Sequence, residues 1–193
     1  MFELSILFPA VLNGLTTGAV YALVALGLTL IYGVLHIINF AHGACLMMAL
    51  YGVYFLKQSL GVDPYLALPV MVPAMFAAGY ALQRGVVERA SHGKDENILL
   101  VTLGISIVLE NVALLAFRSD TRTIDTAYTL ATVAIGPAMI SLPKVVAFFG
   151  ALATSAALLW IMKRTDLGRA IRAVAKEKQG ARLMGINVEH VYA

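Results

Sequence analysis

Residues 4–56 contain no lysine, arginine, aspartate or glutamate, and this uncharged stretch limits the possible folds more than any other feature of the sequence. As one α-helix it would be about 80 Å long, whereas the hydrocarbon core of a bilayer is about 30 Å thick. One helix cannot use that length, so the stretch predicts two membrane spans. Polar and flexible residues collect at 33–43, and we place the break between the spans there.

The composition of the whole chain also indicates a membrane protein. Of its 193 residues, 60% are hydrophobic and 13% are charged, whereas soluble domains are about 25% charged. We predict an all-α polytopic membrane protein, with a transmembrane bundle at residues 1–162 and a cytoplasmic segment at 163–193. The five predicted spans lie near residues 6–32, 38–56, 64–82, 98–117 and 145–162.

The third span contains three prolines, Pro64, Pro69 and Pro73. Proline removes a backbone donor, so an irregular first half is predicted, which a membrane tolerates only where neighbouring groups satisfy the freed carbonyls. Residues 84–97 are polar and are predicted to form a loop before the fourth span.

The segment at 128–142 allows two interpretations. It is apolar enough for a sixth span, but its 15 residues fall short of the roughly 20 that a span needs, and Gly136-Pro137 interrupts it. We favour an external hairpin or re-entrant loop. The charge distribution does not decide, because five or six spans each leave ten Lys and Arg residues on one side and four on the other. Five spans would place the N-terminus outside.

Seven of the fourteen Lys and Arg residues lie within 163–188. Basic segments stay on the cytoplasmic side of a membrane. Residues 168–184 are predicted to form one helix, with Asp166 as its N-terminal cap and Gly185 as its terminating glycine. On periodicity alone, the favoured interpretation is an amphipathic helix that rests on anionic lipid headgroups.

Motifs that would indicate an enzyme are missing from the sequence. There is no phosphate-binding G-x-x-x-x-G-K-[ST] loop, no G-x-S-x-G and no H-E-x-x-H. The four histidines are too scattered to predict a metal site. We therefore expect no enzymatic activity, cofactor or metal, and ATP hydrolysis would have to reside in a partner chain. The net charge of +3 is small and does not suggest a nucleic-acid partner.

Three polar residues within predicted spans are candidates for a solute path. Asn39 and His42 are three apart and would share one face of a helix. They either line the path or its cytoplasmic gate, or satisfy each other and backbone carbonyls at a helix break. Glu110 is the one acidic residue within a predicted span. It either receives the ammonium group of an amino acid or pairs with another helix.

Two stretches of the chain resemble one protein family. Residues 13–43, NGLTTGAVYALVALGLTLIYGVLHIINFAHG, resemble the start of the branched-chain amino-acid permeases of the LivH type, and INFAHG is the most distinctive part. Residues 165–188, TDLGRAIRAVAKEKQGARLMGINV, resemble the cytoplasmic loop of the same family. In that loop, ABC-importer permeases carry Glu-Ala-Ala, three residues and Gly. The corresponding positions here are Gln179, Gly180, Ala181 and Gly185.

This resemblance implies a function. It implies a membrane-spanning permease subunit of an ATP-driven importer for branched-chain or related neutral amino acids, in the bacterial cytoplasmic (inner) membrane. The implied partners are ABC ATPase subunits that hold the cytoplasmic loop, a sister permease subunit, an external solute-binding protein and the lipid bilayer. It also implies that the chain lacks the C-terminal spans of the family.

The chain departs from the family pattern at three positions. Ala44 stands where Glu often follows INFAHG, and Gly180 replaces a usual alanine. Glu110 stands where the family tends to have Gln, which favours structural pairing for this residue. Alternative functions are a urea or short-amide ABC permease, a secondary transporter or channel without an ATPase partner, and a membrane scaffold.

Overall fold

The structure is a computed structural model that describes residues 2–35, 38–91, 95–118, 120–136 and 138–192. The centre of the predicted polar loop, 92–94, and Pro137 of the predicted turn lie outside these residues. The α-helices are α1 (Phe2–Leu35), α2 (His42–Leu60), α3 (Pro64–Leu82), α4 (Glu88–Ser91), α5 (Asp95–Phe117), α6 (Leu142–Arg164), α7 (Asp166–Lys176), α8 (Lys178–Leu183) and α9 (Val188–Tyr192). A π-helix (Gln83–Val87) and the strands β1 (Thr132–Ile135) and β2 (Ala138–Ser141) complete the described elements.

Four described helical stretches are long and apolar enough to cross a membrane, namely Ile6–Gly33, Pro64–Ala90, Asn97–Phe117 and Leu142–Arg164. They confirm an all-α polytopic membrane protein. The second predicted span is also helical, as α2, but it begins at His42 rather than at residue 38. It is not among the four, because His42, Lys57 and Gln58 lower its hydropathy.

The chain divides into two compact units. The first unit contains the chain up to Leu30 together with Asp125–Ala173. The second unit contains Ile31–Ile124 and the chain from Val174 onward.

In the first unit, polar side chains connect α1 with the start of α6. Lys144 Nζ donates a hydrogen bond to Asn13 Oδ1 at 3.3 Å, and Asn13 Nδ2 donates to the Pro9 carbonyl at 3.1 Å. Thr16 is buried and donates to the Leu12 carbonyl. Asn13 and Thr16 therefore support helix packing, in agreement with their small and polar character.

The segment between α5 and α6 contains a β-hairpin. Strands β1 and β2 pair antiparallel from Thr132↔Ser141 to Ile135↔Ala138, and Leu142 N–H extends the ladder by donating to Ala131 O. Gly136 has φ +60° at the turn. The predicted hairpin is confirmed and the alternative of a sixth span is wrong, because eight of these residues are in strands.

In the second unit, α2 and α3 are joined by a tight turn. Gly61 ends α2 in the left-handed conformation (φ +66°), and its N–H donates to Lys57 O. The Asp63 carboxylate caps α3 by accepting from Tyr65 N–H at 2.9 Å, with Pro64 at the first helical position, where proline is favoured. The Tyr51 ring of α2 stacks on Phe117 of α5, with centroids 4.2 Å apart.

Two sequence-based predictions for this region are wrong. Helix α3 is α-helical throughout despite Pro69 and Pro73, and its irregularity lies after it, in the π-helix. The predicted loop at 84–97 is helical up to Ser91 and again from Asp95. Polar residues here extend the ends of helices rather than interrupting them.

The side chain of Thr165 makes hydrogen bonds to both helices at the junction between α6 and α7. Its Oγ1 accepts from Gly168 N–H at 3.1 Å and donates to Ile161 O at 2.7 Å. Thr165 is therefore the cap, and the prediction that Asp166 has this role is wrong. The Asp166 carboxylate instead pairs with Arg169 within α7. Asp166 is already helical, so the residue before it is the one whose side chain can reach the first free N–H groups.

We predict that Gly168→Ala destabilises the protein. A Cβ atom at this position would lie 2.4 Å from the Met162 carbonyl oxygen and 2.6 Å from Met162 Cα, so the backbone of the junction would have to shift. Overpacking of this kind costs about 1–3 kcal/mol. The measurement is the thermal unfolding midpoint in detergent.

The matched control is Gly150→Ala, since a Cβ at this position of α6 meets nothing within 4 Å. Alanine is the better helix former by about 1 kcal/mol, so this variant should be neutral or more stable. Equal effects of the two substitutions would contradict the close approach at Gly168.

Candidate solute path and coupling segment

The chain enters α2 through a turn that Asn39 stabilises. Asn39 Oδ1 accepts from Ala41 N–H at 2.9 Å, and the Asn39 carbonyl accepts from His42 N–H at 3.3 Å. Because Asn39 precedes the helix, the prediction that Asn39 and His42 share a helical face is wrong. At the break, the side-chain oxygen of Asn39 takes the place of the backbone carbonyl that would accept from Ala41 N–H in a continuous helix.

A side chain of α5 completes this break. Thr102 Oγ1 accepts from Phe40 N–H at 3.3 Å and donates to Leu99 O at 3.1 Å, and Thr102 is only 2% exposed. The sequence analysis missed Thr102. The feature of the sequence that points to Thr102 is its spacing from Ser106 and Glu110, because residues four apart lie on one face of a helix.

A cavity of about 60 Å³ adjoins Asn39 and Thr102. Gln83 of the π-helix also lines it. Pockets for small molecules are usually about 300–1,000 Å³, so this cavity suits ordered water rather than an amino acid. In the second unit, the surroundings of Asn39 are thus those of a hydrogen-bonded helix break.

Glu110 lies apart from this cluster. It is exposed, and Ser106 Oγ donates to its Oε1 at 2.9 Å. Glu110 follows Thr102 by eight residues, about 12 Å along the helix. The structure therefore brings Asn39 and Thr102 together but not Asn39 and Glu110. An exposed carboxylate at this depth in a membrane helix requires water or another chain beside it.

The basic segment forms two helices where one was predicted. Glu177 interrupts the helix with extended backbone angles, φ −154° and ψ 103°. Its carboxylate accepts from Gln179 N–H at 3.3 Å and so caps α8. The prediction of one continuous helix over 168–184 is wrong, because the side chain of Glu177 replaces a backbone acceptor at the start of a second helix.

The end of α8 confirms Gly185 as a helix-terminating glycine. Gly185 has φ +81° and donates to Arg182 O at 3.0 Å, while Ile186 N–H donates to Ala181 O at 3.1 Å. These two bonds form a Schellman motif, which glycine adopts without steric cost. At the start of α8, a Cβ on Gly180 would approach Glu177 Cγ to 3.1 Å.

The capped helix α8 presents an apolar tip. Ala181 is 5% exposed and anchors the helix in the second unit, whereas Leu183 and Met184 are 89% and 83% exposed. Gln179 is also exposed. Two large apolar side chains held beside a rigid cap are typical of a docking surface.

The apolar residues of α7 are buried to different extents, since Leu167 is 55% exposed and Ile171 is half-buried. Val174 is 2% exposed, whereas Arg169, Arg172 and Lys176 are exposed. An interfacial helix would bury its apolar side chains in the bilayer. Val174 is therefore packed within the protein, whereas Leu167 remains accessible to a lipid surface.

The sequence was compared with known proteins. The sequence model of the family described as "Branched-chain amino acid transport system / permease component" matches residues 10–193. The chain belongs to this family. It is 32% identical over 197 residues to the high-affinity branched-chain amino acid transport system permease protein BraD of Pseudomonas aeruginosa. It is 30% identical over 194 residues to the LivH protein of the same description from Escherichia coli K12.

These similarities cover most of this chain but less than two thirds of the length of the relatives. Each of the two alignments covers 94% of this chain and 63% of the relative. A probable LivH permease of Methanocaldococcus jannaschii is 28% identical, over 86% of this chain and 54% of its own length. No solved structure matches the chain. The relatives are transport permeases, and neither the urea permease nor the secondary transporter is favoured by them.

We predict that Thr102→Val destabilises the structure at the break between α1 and α2. Valine has the same shape but leaves Phe40 N–H, whose hydrogen bond is partly buried, without its acceptor. A fully buried donor left unsatisfied costs about 1–3 kcal/mol, which sets the upper limit of the effect. The measurements are the unfolding midpoint and amide hydrogen exchange at Phe40, which should become faster.

The matched control is Thr154→Val. The Thr154 hydroxyl is exposed and bonds only to Gly150 O of its own helix among the described contacts. No N–H donor loses an acceptor, so stability should change little. Unchanged exchange at Phe40 in Thr102→Val would contradict the role assigned to Thr102.

Proposed function

We propose that this chain is a membrane-spanning subunit of an ATP-driven importer for branched-chain amino acids, in the bacterial inner membrane. Its partners are ABC ATPase subunits, a sister permease and an external solute-binding protein. Family membership and the names of the relatives support this proposal. The structural observation that carries it is the apolar tip at the capped end of α8.

In this proposal α8 inserts into a groove on the ATPase. Leu183 and Met184 supply the buried contacts, in the way that apolar anchors of a helix fill a groove. The Schellman motif at Gly185 fixes the direction of the chain beyond the tip. Gln179, Gly180 and Ala181 form the first turn and hold the tip at the protein surface.

The solute path is proposed to pass the polar residues of the second unit. Glu110 is the residue best placed to meet water or a second membrane chain, because its carboxylate is exposed and is held by Ser106. Asn39 and His42 would act at the inner gate, where the break between α1 and α2 gives the backbone an alternative to helix.

We predict that Leu183→Ser abolishes retention of the ATPase. The side chain is 89% exposed, so its loss does not affect folding, whereas a buried apolar anchor contributes more than 1 kcal/mol to binding. The measurement is the amount of ATPase that co-purifies with the tagged chain in mild detergent. The control is Leu130→Ser, which removes a leucine that is 92% exposed beside the hairpin. Full retention in Leu183→Ser would contradict the docking proposal.

We predict that Gly185→Asp uncouples the subunit and that Gly185→Asn is milder. Both residues must adopt φ +81°, which Asn and Asp tolerate better than other side chains, so the two variants share most of the strain. They differ in charge at the docking tip. The measurement is ATPase retention together with leucine-stimulated ATP hydrolysis. Equal defects would assign the effect to backbone strain rather than to docking.

We predict that Asn39→Leu impairs uptake while assembly persists. Leucine removes the acceptor of Ala41 N–H. The informative companion is Asn39→Asp, which retains an acceptor oxygen at the same place. Recovery of uptake in Asn39→Asp means that Asn39 stabilises the break, and continued loss of uptake means that its amide contacts the solute. Normal uptake in Asn39→Leu would contradict both roles.

A further inference from the structure

The second unit contains a larger cavity, of about 610 Å³. The middle of α2, the first two turns of α3 and the loop after α5 enclose it. Its walls are mainly apolar and aromatic, contributed by Met47, Leu50, Tyr51, Val53, Tyr54, Pro64, Tyr65, Leu68 and Ile124, and its polar side chains are Asp120, Thr121 and Arg122. A mostly apolar cavity of this size with a few convergent polar groups is the usual form of a small-molecule site.

Arg122 is held in place at this cavity by three contacts. Its Nη2 donates to the Phe117 carbonyl at 3.2 Å, and its Nη1 donates to the Tyr54 hydroxyl at 3.5 Å. Its guanidinium also lies 5.8 Å from the centroid of the Tyr54 ring. The two hydrogen bonds use two of the five N–H donors of arginine, so the group can still bind an anion.

The charges around the cavity include both signs. Asp120 Oδ2 lies 4.0 Å from Arg122 Nη2, and both side chains are partly exposed. The hydrogen bond to Tyr54 raises the pKa of Arg122 above its ordinary value. Arg122 is protonated at every physiological pH, as arginine is in proteins generally, and Asp120 is an acceptor for a cationic group.

We propose that this cavity binds an α-amino acid with an aliphatic side chain, as the first membrane site for solute. Arg122 would bind the carboxylate, Asp120 the ammonium group, and Leu50, Tyr51 and Leu68 the aliphatic side chain. This inference rests on the proposed function and adds to it a location for the solute. A zwitterion with an apolar side chain matches the cavity, since it needs one cation, one anion and an apolar wall.

The position of the cavity along α3 indicates on which side of the membrane the cavity opens. Pro64, Tyr65 and Leu68 line it at the N-terminal end of α3. At the other end, the Tyr80 ring contacts the His190 ring of α9 edge-on, with centroids 6.2 Å apart. The two ends are about 24 Å apart along the helix, close to the roughly 30 Å of a hydrocarbon core. With the basic segment in the cytoplasm, the cavity opens outside, where an external binding protein releases solute.

The experiment measures binding of tritiated leucine to the chain in lipid nanodiscs, without ATP or binding protein. We expect saturable binding to the native chain. Isocaproate lacks the ammonium group and isoamylamine lacks the carboxylate, so both should compete much more weakly than unlabelled leucine. Competition by isocaproate equal to that by leucine would mean that the cavity holds aliphatic acids or lipid chains, and would overturn the proposal.

Arg122→Gln should weaken leucine binding about tenfold or more, because it removes a charge-assisted hydrogen bond. The matched control is Arg118→Gln, which removes the same charge from the same loop at a position that does not line the cavity. Leu68→Trp should also prevent binding, because it fills the apolar wall while leaving both charges in place. This second variant keeps the test decisive if Arg122→Gln does not fold.

The outcomes distinguish a failure of the cavity proposal from a failure of the proposed function. Binding that is lost in Arg122→Gln and Leu68→Trp but retained in Arg118→Gln supports the site. Absence of leucine binding to the native chain, or equal binding in all variants, overturns it. ATPase retention by α8 is measured on the same preparations. A chain that retains the ATPase but binds no leucine leaves the importer proposal intact, whereas a chain that retains no ATPase contradicts the importer proposal itself.

Discussion

The requirement that every backbone polar group find a partner inside the membrane governs this chain. An unsatisfied N–H in hydrocarbon costs several kcal/mol, so long helices are the default and each interruption needs a substitute partner. At several described helix starts, both in the membrane bundle and in the basic segment, a side chain supplies this partner, whereas α6 begins without a side-chain cap. Asn39 and Thr102 accept from the backbone between α1 and α2, Asp63 does so before α3, Thr165 before α7 and Glu177 before α8. The positions of side-chain acceptors therefore determine where the chain can turn.

The fold class was predictable from the sequence because it depends on sums over many residues. The uncharged stretch at 4–56 and the apolar composition required several membrane helices, whatever the detailed packing. A hairpin or re-entrant loop was the favoured interpretation of residues 128–142, because the segment is short for a span and is broken by Gly136, although a sixth span stayed open until the strands were seen. The effect of the prolines in α3 was not predictable, because the cost of a proline inside a helix depends on neighbouring groups that a single sequence does not show.

The candidate site was less predictable, because it depends on contacts between distant positions. Asn39 was identified as a polar residue at a possible helix break. Its neighbour Thr102 is more than 60 residues away in the sequence, and the spacing of polar residues on α5 is the one local feature that points to it. The interruption at Glu177 depends on one side chain that competes with a helical hydrogen bond, and periodicity does not detect such competition. Gly185 was identified correctly because a helix-ending glycine is a local feature.

Helix α3 connects the larger cavity, proposed as the solute site, with α9, which lies beside the proposed docking helix α8. Its first turn lines the larger cavity, and Tyr80 near its last turn contacts α9, which packs against α8. Proline stiffens one end of the α3 backbone, whereas the π-helix at Gln83–Val87 forms a joint at the other. Helix α3 is thus the described element that connects α9 with the larger cavity. On the other side of this cavity, the Tyr51–Phe117 stack holds α2 to the end of α5, and the Arg122–Tyr54 hydrogen bond holds α2 to the loop that follows. The cavity therefore lies where α2, α3 and the loop after α5 are all fixed by side-chain contacts or caps rather than by backbone hydrogen bonds between helices.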